Sequence, residues 1–125
     1  MAVNGIVVSV AAAKRPEEIS VIKVSGYLDT TTARELEAAL NSLLSKNCYR
    51  IVLDLSGVTY ISSAGWGIFI GEIKEIRNHG GDLKLASMVG DVHEVFQLLE
   101  FQSILEAYPS TQEAKDAFSK SSSRT

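Results

Sequence analysis

Blocks of apolar and polar residues alternate along the chain, and they predict a series of alternating strands and helices. Two runs rich in β-branched residues, at Ile6–Ala11 and 19–24, predict neighbouring strands joined by a short polar turn. Residues 33–44 carry apolar side chains at helical spacing and polar side chains on the other faces, which predicts an amphipathic helix. Three threonines at 30–32 precede this helix and are expected to cap it.

The middle of the chain carries the strongest pattern. Residues 50–55 are apolar at nearly every position, which predicts a central strand covered on both faces. Gly57 interrupts this run, and a second amphipathic helix is expected from about residue 64 to 78, ended by the glycines that follow it. The apolar stripe of this helix consists of Trp66, Phe69, Ile70, Ile73 and Ile76.

The sequence pattern in the last third of the chain predicts shorter strands and helices. Residues 82–87 alternate like a strand, a short helix is expected from Gly90, and Ile104 and Leu105 are expected in a last short strand. Ser110 is expected to cap a final helix. The result is an α/β fold, a small sandwich with a mixed sheet of about five strands and about four helices mainly on one face.

Length and composition set the domain organisation. The 125 residues suffice for one domain, predicted over residues 1–118, and the small polar residues 119–125 are expected to form a disordered tail. A net charge of −3 with scattered lysines and arginines argues against a direct nucleic-acid partner. No positive residue precedes the first apolar run, which therefore suits a strand better than a signal segment, and no membrane span is expected elsewhere. A single cysteine fits a reducing, cytoplasmic location.

Cysteine and histidine are too few and too far apart for a metal site. Cys48 is the only cysteine, and His79 and His93 are separated from it and from each other. We therefore expect no metal, no internal disulfide and no cofactor. The motifs of nucleophilic hydrolases and of phosphate-binding loops are also missing, so an enzymatic function is not expected.

The serine pair before the second helix is the candidate site. Hydroxyls at a helix start lie beside unpaired backbone N–H groups and the positive end of the helix dipole, where an anionic group is favoured. A phosphate on Ser62 or Ser63 is the natural candidate. The alternative is that one of these serines is only an N-cap, worth about 1 kcal/mol of helix stability.

The residues that follow the serine pair add to this picture. Ala64, Gly65 and Gly67 are small, which leaves the helix start sterically open. Glycine in a first helical turn costs about 0.5–1 kcal/mol relative to alanine, so we expect a partner or another backbone to approach closely there. Trp66 lies on the apolar stripe, which favours a core position, although its place in the first turn is expected to leave one edge exposed.

Two segments of this chain resemble the signature of the STAS domain family, and in particular the stand-alone bacterial anti-sigma factor antagonists. They are residues 54–67 (DLSGVTYISSAGWG) and residues 26–29 (GYLD). The resemblance covers nearly the whole chain, from about residue 6 to 118, and it implies a STAS-like fold. By position, Ser63 is the implied phosphoacceptor, while Ser62 replaces the aspartate that the family usually has and Ala64 replaces a serine or threonine.

The resemblance further implies a partner switch. The partner is an anti-sigma factor with serine kinase activity, which the unmodified antagonist captures so that a sigma factor is released. Phosphorylation ends this capture, and a PP2C-type phosphatase restores it. The implied alternative is a STAS scaffold or regulatory subunit of a larger complex, in a signalling assembly or in lipid transport, that is never phosphorylated.

The predicted partner-binding surface surrounds the serine pair. Asp29 is included because the resemblance places it beside the phosphoacceptor. The alternative is that it only ends a strand or caps the following helix. Ile68 falls on the polar side of the second helix, which makes it the candidate for an exposed apolar contact. The predicted surface consists of Asp29, Ser62, Ser63, Ala64, Gly65, Trp66 and Ile68.

Overall fold

The structure is a computed structural model that describes residues 5–15 and 17–122. It contains five strands and four α-helices. In chain order they are β1 (Ile6–Ala11), β2 (Ser20–Leu28), α1 (Ala33–Ser45), β3 (Arg50–Ile61), α2 (Ser63–Asn78), β4 (Asp82–Ala86), α3 (Gly90–Leu98), β5 (Glu106–Tyr108) and α4 (Thr111–Ser122). A single 3₁₀ turn, Phe101–Ser103, lies between α3 and β5.

The five strands form one mixed sheet whose spatial order follows the chain, β1-β2-β3-β4-β5. β1 is antiparallel to β2, and all the later neighbours are parallel. The predicted strand pair and mixed sheet are therefore confirmed. Because the carboxyl ends of parallel strands lie at one edge of a sheet, the loops that lead from β2 into α1 and from β3 into α2 meet at the same edge.

The sheet separates a large core from a small one. On one face α1, α2 and α3 pack over inward-facing residues such as Leu53 and Leu85. On the other face α4 packs its Ala114 and Phe118 on Val52 and Ala86. Three of the four helices thus lie on one face, as the sequence predicts, and alternate residues of the central strand serve the two faces.

The predicted end of the central strand is wrong. β3 does not stop near residue 55 but continues through Gly57 to Ile61, still paired with β2. Glycine is favoured there because a Cβ at position 57 would lie 3.0 Å from the Ser25 Cβ and would displace the Ser25 hydroxyl group. β4 pairs only with residues 50–54, so the second half of β3 extends beyond β4.

Two predictions about the last third of the chain need correction. The last strand is Glu106–Tyr108 rather than residues 104–105, and the buried Leu105 directly precedes it. α4 continues through Ser122, so the first residues of the predicted disordered tail are helical. The rest of that predicted tail, residues 123–125, lies outside the described residues, as do residues 1–4 of the predicted domain.

Candidate functional site

The two serines occupy different positions at the start of α2. Ser62 is the N-cap, with an extended backbone, and its Oγ accepts a hydrogen bond of 3.3 Å from the Gly65 N–H. Its carbonyl oxygen accepts the first helical hydrogen bond, from the Trp66 N–H. Ser63 is the first helical residue, and its side chain is exposed. Of the two serines that the sequence offers as a cap, Ser62 is therefore the one used, and the Ser63 hydroxyl is left on the surface.

The loop after β2 lies directly beside this helix start. The Ser62 N–H donates a 2.8 Å hydrogen bond to the Leu28 carbonyl oxygen, which joins the end of β2 to the start of α2. The next residue is Asp29, so its loop is a neighbour of the serine pair. The two segments that the sequence singles out, residues 26–29 and 54–67, are brought together in this way.

Asp29 organises its own loop with one carboxylate oxygen. Its Oδ1 accepts hydrogen bonds from the Thr31 hydroxyl (2.7 Å), the Thr31 N–H (2.9 Å) and the Thr32 N–H (3.0 Å). These bonds, led by that of the Thr31 hydroxyl, lower the pKa of the Asp29 carboxyl. The prediction that threonine side chains cap α1 is wrong. Thr32 occupies the N-cap position, but its side chain makes no cap bond, and the Asp29 carboxylate accepts the hydrogen bonds of the backbone N–H groups instead.

Gly65 and Trp66 are buried, so they do not belong to the exposed surface that the sequence predicts, whereas the core position favoured for Trp66 is confirmed. A Cβ at position 65 would lie 2.8 Å from Ile61 Cγ2 and 3.0 Å from Leu28 Cβ, so the close approach is to the chain's own strands. Trp66 is only 2% exposed, and its ring packs against Phe96 and other aromatic side chains. Both residues therefore support the site from beneath.

The accessible flank of α2 is formed by other residues. Ala64 and Ile68 are half-buried, so Ile68 is not the exposed contact that the sequence predicts. Gly67 and Gly71 are exposed, and a Cβ at either position would meet no atom within 4 Å. Ser63, Gly67 and Gly71 follow each other at intervals of four residues, so they lie on one side of the helix.

Two exposed tyrosines near this edge of the sheet were not predicted. Tyr27 and Tyr60 are paired across β2 and β3, and they are 37% and 56% exposed. Tyrosine is common in protein interfaces because its ring buries a large apolar area while its hydroxyl stays hydrated. The sequence analysis ended β3 near residue 55, so Tyr60 fell outside the predicted strand, and the exposure of the consecutive residues Thr59 and Tyr60 does not follow simple alternation.

The site has little internal space. A cleft of about 60 Å³ lies between the end of β3 and α3, lined by Tyr60, Trp66 and Val92 among others. This volume is far below that of a small-molecule pocket. Among the described residues no cluster of histidine, cysteine, aspartate and glutamate is suited to hold a metal ion. Within the same part of the chain no helix combines the length and apolarity needed to cross a membrane.

Comparisons with known proteins agree on one family. The family model for the STAS domain matches residues 10–114. BtrV of Bordetella bronchiseptica, which its name describes as an anti-sigma factor antagonist, is 36% identical over 95 residues, covering 76% of this chain and 82% of BtrV. An anti-sigma-B factor antagonist of Staphylococcus aureus is 25% identical over 73% of this chain and 84% of its own.

The solved structures show the same fold. An anti-sigma factor antagonist from Mycobacterium paratuberculosis superposes with a TM-score of 0.81 at 24% identity, over 94% of this chain and 97% of the other. At such low identity the likeness concerns the fold alone.

Proposed function

The chain belongs to the STAS domain family, among the anti-sigma factor antagonists, and on this premise we propose that it is a non-enzymatic regulator switched by phosphorylation of Ser63. In its unmodified form it binds an anti-sigma factor with serine kinase activity in the cytoplasm and thereby releases a sigma factor. Phosphorylation ends this binding, and a PP2C-type phosphatase reverses it. The carrying observation is the exposed Ser63 side chain at the first position of α2.

The geometry favours Ser63 over Ser62 as the phosphoacceptor. A kinase must reach the hydroxyl group, and the Ser62 hydroxyl is half-buried and accepts the cap bond from the Gly65 N–H. Phosphorylation of Ser62 would break this cap bond or replace it with a bond to a phosphate oxygen. The Ser63 side chain has no such role in the helix cap.

The start of α2 can hold a phosphate without unfolding. A phosphoserine adds about −1.5 to −2 charges at pH 7. The first turn of α2 contains no acidic residue, so the positive end of its dipole is not yet neutralised by a side chain. We therefore expect inhibition to act through the interface, where added bulk and a charge in need of solvation disfavour the complex.

The proposed interface follows the accessible residues. Ser63 and the exposed glycine Gly67 offer a flank of α2 on which a partner can approach the helix backbone. Tyr27 and Tyr60 add exposed aromatic area, and Asp29 adds a fixed negative charge. Gly65 and Trp66 are buried beneath this interface, so they hold α2 in place and do not contact the partner.

The replacement of the usual aspartate by Ser62 favours a second candidate function. Without an acidic neighbour the kinase has less to recognise, which is compatible with a STAS scaffold or regulatory subunit that is not phosphorylated. In that case Ser63 would be an ordinary surface residue of a constitutive interface.

One experiment separates the two candidates. The purified chain is incubated with its cognate anti-sigma factor kinase, ATP and Mg²⁺, and peptides are analysed by mass spectrometry, with Ser62→Ala and Ser63→Ala as matched variants. We expect phosphate in the unmodified chain and in Ser62→Ala, and none in Ser63→Ala. Phosphate on neither serine, together with kinase binding that Ser63→Asp leaves unchanged, would establish the scaffold instead.

A further inference from the structure

A groove lies between α3 and β5, away from the serine pair. It consists of two adjoining cavities of about 350 and 420 Å³ that share His93, Ala107 and Tyr108. Met88 lines one of the cavities and Gln97 the other. His93 and Gln97 are one helical turn apart and both are exposed, so they form the α3 wall of the groove.

The opposite wall is an unpaired edge of the sheet. Among the described residues β5 is the last strand of the sheet, and it pairs only with β4. The Tyr108 carbonyl oxygen accepts a hydrogen bond of 3.0 Å from the Ser87 N–H, so the main-chain groups of Tyr108 point toward β4. Because these directions alternate along a strand, the N–H and C=O of Ala107 point outward, along the edge that borders the groove.

The exposed charge beside the groove is mainly acidic. Residues 87–110 form α3, β5 and the loops beside them, and they include neither lysine nor arginine. Asp91, Glu94 and Glu100 are exposed in this stretch, whereas Glu106 is already paired with the buried Lys84. Such a surface repels nucleic acids and anionic lipids and attracts cationic segments.

We propose that this groove binds an extended, basic segment of a partner protein, which adds to the sheet as a sixth strand beside β5. Two main-chain hydrogen bonds to Ala107 hold the segment, since strand addition takes its affinity from the exposed edge and its selectivity from the side chains around it. The lysine or arginine side chains of the segment lie near the exposed acidic residues of α3, Asp91 and Glu94. This surface is separate from the serine pair, so its occupation does not depend on the state of Ser63.

The binding test uses two short peptides and the full chain labelled with ¹⁵N. The probe is acetyl-Lys-Val-Thr-Val-Lys-amide, and the control is acetyl-Glu-Val-Thr-Val-Glu-amide, which has the same strand propensity and the opposite charge. In an NMR titration we expect the lysine peptide to shift the amide signals of His93, Gln97 and Ala107 and to bind at least about tenfold more tightly than the control. Equal binding of both peptides, or shifts confined to other surfaces, would overturn the proposal.

Two variants test the walls of the groove. Gln97→Lys places a positive charge beside the bound segment and should weaken binding about threefold. Gln112→Lys makes the same change on the exposed side of α4 and should have no effect.

Ala107→Pro removes the outward N–H and should abolish binding, and thermal melting shows whether this variant is folded. If Ala107→Pro is not folded, the comparison of Gln97→Lys with Gln112→Lys tests the proposal alone. Equal weakening of peptide binding by these two variants would refute binding in the groove.

Discussion

The Ser62 N–H and the Leu28 carbonyl oxygen are joined by a 2.8 Å hydrogen bond that fixes the start of α2 to the end of β2. The two residues are 34 positions apart in the sequence, and this contact places the Asp29 loop beside Ser63. The site is therefore held by main-chain geometry. Side chains at the surface can therefore change there without moving the helix start.

Gly65 and Gly67 should respond to alanine in opposite directions. Gly65→Ala should destabilise the fold by about 1–3 kcal/mol, because the new Cβ would press against Ile61 and Leu28. Gly67→Ala should stabilise it by about 0.5–1 kcal/mol, since alanine is the better helix former and the space is open. Urea denaturation of the two variants measures both changes. A stabilised Gly65→Ala would show that the helix start can move away from β2.

The two serines should differ in their effect on stability. Ser62→Ala removes the cap acceptor and should cost about 0.5–1 kcal/mol, at the low end of the usual range because the bond to the Gly65 N–H is long. Ser63→Ala should leave the free energy of unfolding within about 0.5 kcal/mol, as is normal for exposed positions. Chemical denaturation compares them. Equal losses would mean that both hydroxyls support the helix.

Lys84 is the buried cation on the α4 face. Its side chain is 1% exposed, its Nζ lies 3.0 Å from Asp82 and 2.7 Å from Glu106, and it faces the Phe118 ring at 4.8 Å. Lys84→Ala should cost about 3 kcal/mol through the loss of packing and of both ion pairs. Lys84→Met keeps most of the volume and should cost about half as much. Urea denaturation compares the two variants, and equal losses would show that charge, not packing, sets the contribution.

Glu106 should make part of this stability depend on pH. Hydrogen bonds from Lys84 and then from Tyr108 lower the pKa of the Glu106 carboxyl from its usual 4.5. Since the folded-state pKa is the lower one, the contribution is complete above pH 4.5 and is lost as the pH falls through the folded-state pKa.

The check compares the unmodified chain with Glu106→Gln by urea denaturation at neutral and at acidic pH. We expect the difference in free energy of unfolding to be larger at neutral pH and to shrink in acid. Glu37→Gln, at an exposed position on α1, is the control and should show a smaller difference at both pH values. A difference for Glu106→Gln that does not change with pH would contradict the assignment.

Local patterns predicted most of the elements correctly. The helical spacing of Leu36, Leu40 and Leu43 identified the buried side of α1, because amphipathic periodicity depends only on neighbours along the chain. The strand end was missed at Gly57, since glycine usually interrupts a strand. Here the close approach of Ser25 makes glycine the residue that fits.

The candidate site was also predicted only in part, because local patterns do not show long-range contacts. The sequence by itself determined that two serines precede an amphipathic helix, that one of them suits the cap and that glycines follow. Only the tertiary structure decided that Gly65 lies against Leu28, that Trp66 is covered by Phe96 and that Tyr60 is exposed. Periodicity shows which residues share a face, whereas the element that covers this face comes from a distant part of the chain. The contacts between β2, β3 and α3 therefore set which residues around Ser63 are open to a partner.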